Sequence, residues 1–116
     1  MKVDFAFLAD YADSSGKLAA MGIGIDTVQI AKLPAKNVSM YAVCRLRFSE
    51  VETGPTELEL RLVNNNDEAI VAPIKTNVRI ERPLPGYLDR PFTVCLGLPD
   101  AQINDYGWYA VTLLVK

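Results

Sequence analysis

The 116 residues contain no histidine, two cysteines (Cys44 and Cys95) and two close pairs of acids, Asp10 with Asp13 and Glu50 with Glu52. Without histidine the commonest general base and metal-binding imidazole are missing. Neither cysteine has a C-x-x-C partner, so a structural zinc site lacks its ligands. Cys44 falls in the inward alternation of a strand pattern, without a basic partner to hold a thiolate, and reads as an inert buried thiol. The paired acids fall on turns shared with Lys17, Arg82 and Arg90, where solvated side chains are the simplest account. No set of nucleophile, base and orienting group can be assembled, so a chain without catalysis or cofactor is expected. Gly22-Ile23-Gly24 is a fragment of a dinucleotide-binding fingerprint, but the third glycine and the following helix are absent.

Oxygen-rich turns are the other chemical feature. If the strands run up and down in sequence order, Asp10, Asp13, Glu50, Glu52 and Asp89 gather at one end. Asn64, Asn66, Asp67, Asp100, Asn104 and Asp105 then gather at the other. Such loops can hold Ca2+, which takes six to eight oxygens. Asn64, Asn66, Asp67, Asp100 and Asp105 are the weak candidates. Asn and Asp also serve turn geometry alone, and no fixed ligand spacing marks a site, so no metal is expected.

The elements that would position these residues read almost throughout with period two. Apolar residues make up 50% of the chain and charged residues 22%, which excludes a disordered tail. At this length folding removes roughly two-thirds of the chain's surface from water, enough for one domain over residues 1–116 without staples. The net charge of −2 leaves no concentrated basic surface for nucleic acid. No apolar run reaches the roughly 18 residues of a membrane span, and Asp4 and Asp10 interrupt any leader-like segment. A cytoplasmic chain with reduced thiols and no membrane contact is therefore expected.

Strands are expected over Val3–Tyr11, Lys17–Ile30, Val38–Phe48, Thr56–Val63, Ala69–Glu81, Phe92–Leu98 and Gly107–Lys116. Gly22 and Gly24 suggest a bulge or a close approach within the second, and Pro73 demotes the first half of the fifth. Met40, Ala42, Cys44, Leu46 and Phe48 should share the inner face of the third strand. Leu58, Leu60 and Leu62 should do so in the fourth, with Glu57, Glu59 and Arg61 outside. Pairing these two strands as a hairpin, Leu46 opposite Leu58, sets Arg47 against Glu57 and Arg45 against Glu59 as a solvated ladder. Leu33–Asn37 reads as a connection and Asn64-Asn65-Asn66-Asp67 as a turn. About seven short strands describe an all-β, single-domain antiparallel β-sandwich.

Asp105-Tyr106-Gly107-Trp108-Tyr109-Ala110-Val111 resembles the D-x-G-x-Y-x-C segment of immunoglobulin-like domains. That resemblance implies an immunoglobulin-like sandwich and a tyrosine corner built on Asp105, Gly107 and Tyr109, whose hydroxyl would bond back to the upstream backbone. Val111 stands where that family has cysteine, and no further strand follows. Phe5-Ala6-Phe7-Leu8-Ala9-Asp10-Tyr11-Ala12-Asp13, then Gly22-Ile23-Gly24, then Glu52-Thr53-Gly54 before an L-x-L-x-L strand, resembles a family of short uncharacterised bacterial proteins. It implies a bacterial, cytoplasmic context and a domain of unknown function.

Two functions fit. The first is a non-catalytic interaction or structural module whose open sheet edge pairs with a protein partner or with another copy of itself. Thr112-Leu113-Leu114-Val115 is apolar on both faces and carries few guarding charges. Tyr87, Tyr106, Trp108, Thr112 and Leu114 are the candidate interface. The alternative is a sandwich that binds a small ligand or Ca2+ through its loops, with Tyr87 and Trp108 as aromatic contacts.

Overall fold

A computed structural model describes residues 1–36 and 39–116. The expected start of the third strand at Val38, and Asn37 in the connection before it, lie outside the described residues. Ten strands occur among the described residues. They are β1 (Lys2–Ala9), β2 (Tyr11–Asp13), β3 (Ala19–Met21), β4 (Ala35–Lys36), β5 (Tyr41–Ser49), β6 (Gly54–Asn64), β7 (Ile74–Ile80), β8 (Asp89–Gly97), β9 (Gln102–Ile103) and β10 (Tyr109–Val115). The described residues hold no α-helix, and none of their helices is long and apolar enough to cross a membrane.

All pairings are antiparallel. The first three-stranded sheet runs β1-β5-β8 and the second β10-β6-β7, while β2–β3 and β4–β9 form two-stranded ribbons. The architecture is thus all-β and not a closed barrel. Alternation places Leu46, Phe48 and Val94 of the first sheet against Leu58 and Ile80 of the second, in one buried cluster. Cys44, Val78, Phe92, Leu96, Leu113 and Val115 pack around it half-buried.

The faces of the third and fourth expected strands follow the alternation, but their pairing does not. Ser49 starts a short 3-10 turn over Glu50–Glu52, closed by the Glu52 carboxylate accepting the Ser49 amide and hydroxyl, each at 2.9 Å. That turn carries the chain from one sheet to the other, so β5 and β6 never pair. Leu46 and Leu58 meet across the core instead of side by side. Arg45 and Arg47 find Asp4, which is left over at the bulge where Val3 faces Leu46 and Phe5 faces Arg45. Arg47 also donates to Asp89 at 3.0 Å.

The long second strand is not formed. Only Ala19–Met21 is extended, because Gly22 and Gly24 take φ of +67° and +89° and turn the backbone out of line. The amides of Gly24 and Ile25 then donate to the Leu8 carbonyl. The β2–β3 ribbon leans on the first sheet, with the Tyr11 ring edge-on to Tyr41 at 5.4 Å and Ala12 buried. Pro73 acts as its position implies: β7 begins at Ile74, and only the isolated bridge Val63–Ala69 precedes it.

Candidate functional site

The second sheet ends on β10, the strand that holds Thr112 and Leu114 of the candidate interface. Lys116 and Glu57 exchange both backbone hydrogen bonds, at 2.9 and 3.4 Å. In an antiparallel ladder that pattern repeats every second residue. Leu114, Thr112 and Ala110 therefore turn their backbone groups toward β6, opposite Glu59, Arg61 and Val63. Tyr109, Val111, Leu113 and Val115 turn their amides and carbonyls the other way, along the open side of the sheet, where no strand among the described residues pairs with them. Their side chains face the core, opposite Asn64, Leu62, Leu60 and Leu58.

The other three edges of the two three-stranded sheets are guarded, each in its own way. β8 carries Pro91 beside Arg90 and Asp89, β7 carries exposed Lys75 and Arg79, and β1 carries the Asp4 bulge. Proline, edge charges and bulges are the standard obstacles to strand addition. From Tyr109 to Val115 there is no charge, no proline, no glycine and no register shift.

Between the β10 and β1 edges the space separating the sheets opens to the outside. One part of it is lined mainly by apolar surface, from Ala6, Leu8, Ala42, Cys44, Val111 and Leu113 among others. Its upper part, a cavity of about 230 Å³, lies between the Ile25–Ile30 segment and Trp108, with Asp26 and Asp105 as its acids.

The Tyr109 hydroxyl donates to the Asp105 carbonyl at 2.6 Å, which ties the start of β10 to the loop before it. Gly107 in that loop has φ of +143°, a backbone conformation that suits glycine. Tyr106 donates to the Ile30 carbonyl at 3.1 Å, while its ring stays exposed. Trp108 is 82% exposed at the head of β10. Tyr106, Trp108, Thr112 and Leu114 thus line one edge. Tyr87 does not join them. Its loop follows Ile80, which pairs with Gly54, whereas β10 begins opposite Asn64. Those two ends of β6 are roughly 30 Å apart, so Tyr87 and Trp108 cannot grip one small ligand.

Glu59 was missed by sequence reasoning. It alternates outward, yet it is only 1% exposed. Arg61 hydrogen-bonds it, and the Lys116 and Lys75 ammoniums stand 3.4 and 3.6 Å from its other oxygen. Burial works against the ionised form, but the Arg61 and Lys116 cations outweigh it and hold the carboxyl below its ordinary value. A clue was available, because Glu59 is the middle of three alternating polar residues flanked by leucines, the position of greatest cover in a strand.

The oxygen-rich turns do not gather as expected. Ala9 pairs with Tyr41 and Ser49 with Asp89, so Asp10 and Asp13 lie at the opposite end of the first sheet from Glu50, Glu52 and Asp89. The expected second strand does not cross the sheet, so β5 starts beside the end of β1 and runs back, which separates them. Asn64 is committed to its turn, its side-chain oxygen accepting the amides of Asn66 and Glu68 at 3.0 Å each. Asp67 takes φ of +62° there. Among the described residues no three Asp, Glu, Cys or His side chains come close enough to share a metal ion, and Asp100 and Asp105 are no exception. Both cysteines are free and half-buried, and burial pushes both thiols up from their ordinary value.

No curated protein and no solved structure matches this chain. One family model does, over residues 4–116, which takes in both small ribbons, both sheets and the whole of β10. The chain therefore belongs to the family described as Family of unknown function (DUF6941).

Proposed function

We propose that this chain is a non-catalytic protein-interaction module that takes up an extended strand along the free edge of β10. One observation carries the proposal: β10 is the unguarded edge beside three guarded ones, with the backbone groups of Tyr109, Val111, Leu113 and Val115 turned outward. The sheet orders β1-β5-β8 and β10-β6-β7 support an immunoglobulin-like sandwich in which the place beside β10 is open among the described residues. An added strand would fill that place. Its inward side chains would cover Ala6, Leu8, Val111 and Leu113, and the flanking Tyr106 and Trp108 would anchor its end.

An edge block tests the proposal. The Leu113 amide points away from β6, so Leu113→Pro removes a free donor without breaking a ladder bond. Association measured by native mass spectrometry should be lost while the circular dichroism spectrum stays that of folded protein. If Leu113→Pro unfolds the chain, Val115→Pro makes the same test at the fraying end of the strand. Association that persists with either block in a folded chain would refute strand addition at β10.

A further inference from the structure

We propose that the guanidiniums of Arg79, Arg82 and Arg90 form a binding site for a phosphate group of at least two negative charges, at the end of the molecule where Gly54 pairs with Ile80. The site does not depend on strand addition at β10. The chain has six arginines, and pairing divides them in two. Arg45 and Arg47 are bridged to Asp4, Arg47 also to Asp89, and Arg61 to Glu59. Arg79, Arg82 and Arg90 make no ion pair and no side-chain hydrogen bond among the described residues, and these three line one open concavity.

Three elements bring them together. Arg79 stands on β7 beside the buried Ile80. Arg90 starts β8 opposite Phe48, so it leaves the first sheet on the core-facing side and is half-buried. Arg82 opens the connection between those strands. There Pro83 and Pro85 fix their own φ, and the Tyr87 amide closes a turn on the Leu84 carbonyl at 3.0 Å.

The acids nearby do not neutralise the three. Asp89, next to Arg90, is turned to Arg47, and Glu52 accepts the N-terminal ammonium and Ser49. Glu81 is the one acid among the described residues that line the concavity, and it bridges none of the arginines. Three guanidiniums against one carboxylate leave a formal excess of two positive charges. Like charges gathered in this way repel, and a bound dianion removes that cost. A phosphate monoester carries close to that charge at neutral pH. Each guanidinium presents a planar fork of N–H donors, and a carboxylate accepts such a fork in one plane. A phosphate offers oxygens in several directions, which suits forks that arrive from different elements.

Isothermal titration calorimetry with sodium pyrophosphate at low ionic strength tests the site. The wild-type chain should bind saturably, and Arg82→Gln/Arg90→Gln should bind on the order of tenfold more weakly or worse. Neither side chain has a partner within the chain, so this variant should keep the wild-type circular dichroism spectrum. Lys17→Gln/Lys32→Gln removes the same charge from residues outside the concavity and should bind as the wild type does. Arg82→Lys keeps the charge but loses the fork, and should weaken binding severalfold. Phosphatidylcholine vesicles carrying phosphatidic acid separate two sources of the phosphate. Binding of pyrophosphate without sedimentation assigns a free ligand; sedimentation that Arg82→Gln/Arg90→Gln abolishes assigns a lipid headgroup. A chain that binds neither, or equal weakening in the two double variants, would overturn the site. Leu113→Pro should leave pyrophosphate binding intact, so failure here and failure of strand addition at β10 are told apart.

Discussion

Truncating two leucines of the second sheet separates a sealed core from an unfinished one. Leu58 is 2% exposed at the centre of the cluster that joins the two sheets. Leu58→Ala removes three carbons, roughly 2.4 kcal/mol of transfer free energy at about 0.8 kcal/mol each. A cavity among Leu46, Phe48, Ile80 and Val94 adds to that, for a total loss of about 3–4 kcal/mol. Leu113 faces the same core but borders the open groove and is only half-buried. Its truncation forfeits about half the transfer term and leaves little new cavity, because the space beside it is already open, for about 1–1.5 kcal/mol. Urea titrations followed by far-ultraviolet circular dichroism measure both; the single tryptophan, Trp108, is too exposed to report on the core. At high dilution, where copies are apart, the two losses should differ by about 2 kcal/mol. Losses equal within about 0.5 kcal/mol would refute the picture of an open β10 flank, since additivity errors are of that size.

Tyr109→Phe removes the hydroxyl held by the Asp105 carbonyl and should cost about 1 kcal/mol in thermal or urea unfolding, with faster amide exchange in the loop before β10. Gly22→Ala would drive a Cβ into the Asp10 side chain at a φ of +67°, so it should cost at least about 1–2 kcal/mol and raise exchange through β2 and β3. Glu52, which accepts the N-terminal ammonium and the Ser49 amide and hydroxyl, has its carboxyl lowered from 4.5 to about 2. Its folded value lies below its unfolded one, so the stability it contributes is full above about pH 4.5 and lost as the pH falls toward 2; Glu52→Gln should flatten that part of an acid-unfolding curve. Cys44 and Cys95, both raised by burial, should react slowly with iodoacetamide at neutral pH and faster only in alkali or urea; rapid labelling of the folded chain at pH 7 would contradict their placement.

Faces were legible in the sequence and partners were not. Period two alone assigned Leu46, Phe48 and Leu58 to the interior, because burial on one face of a strand leaves a pattern in that strand itself. Pairing depends on a second strand, and charges are interchangeable at that level: Arg45 suits Glu59 on paper as well as it suits Asp4 in the fold. Asp4 could not be singled out because the bulge that frees it has no local marker. Glycines were more informative than their neighbours. Gly22 and Gly24 sit inside an apolar run that reads as strand, and their positive φ ends it there. The β10 edge was legible from Thr112 to Val115, since its lack of charge is a property of that segment alone. Its being the unguarded edge was not, because the guards on β1, β7 and β8 count only once those strands are known to be edges.

Those guards have a consequence for size. A strand that joins β10 uses up the place where growth is possible, and the next edges on either side are barred by Pro91, by Lys75 and Arg79, or by the Asp4 bulge. On the proposed function, the two three-stranded sheets thus have a valence of one. Chains that meet through such an edge terminate each other, and concentration raises the number of assemblies without lengthening them.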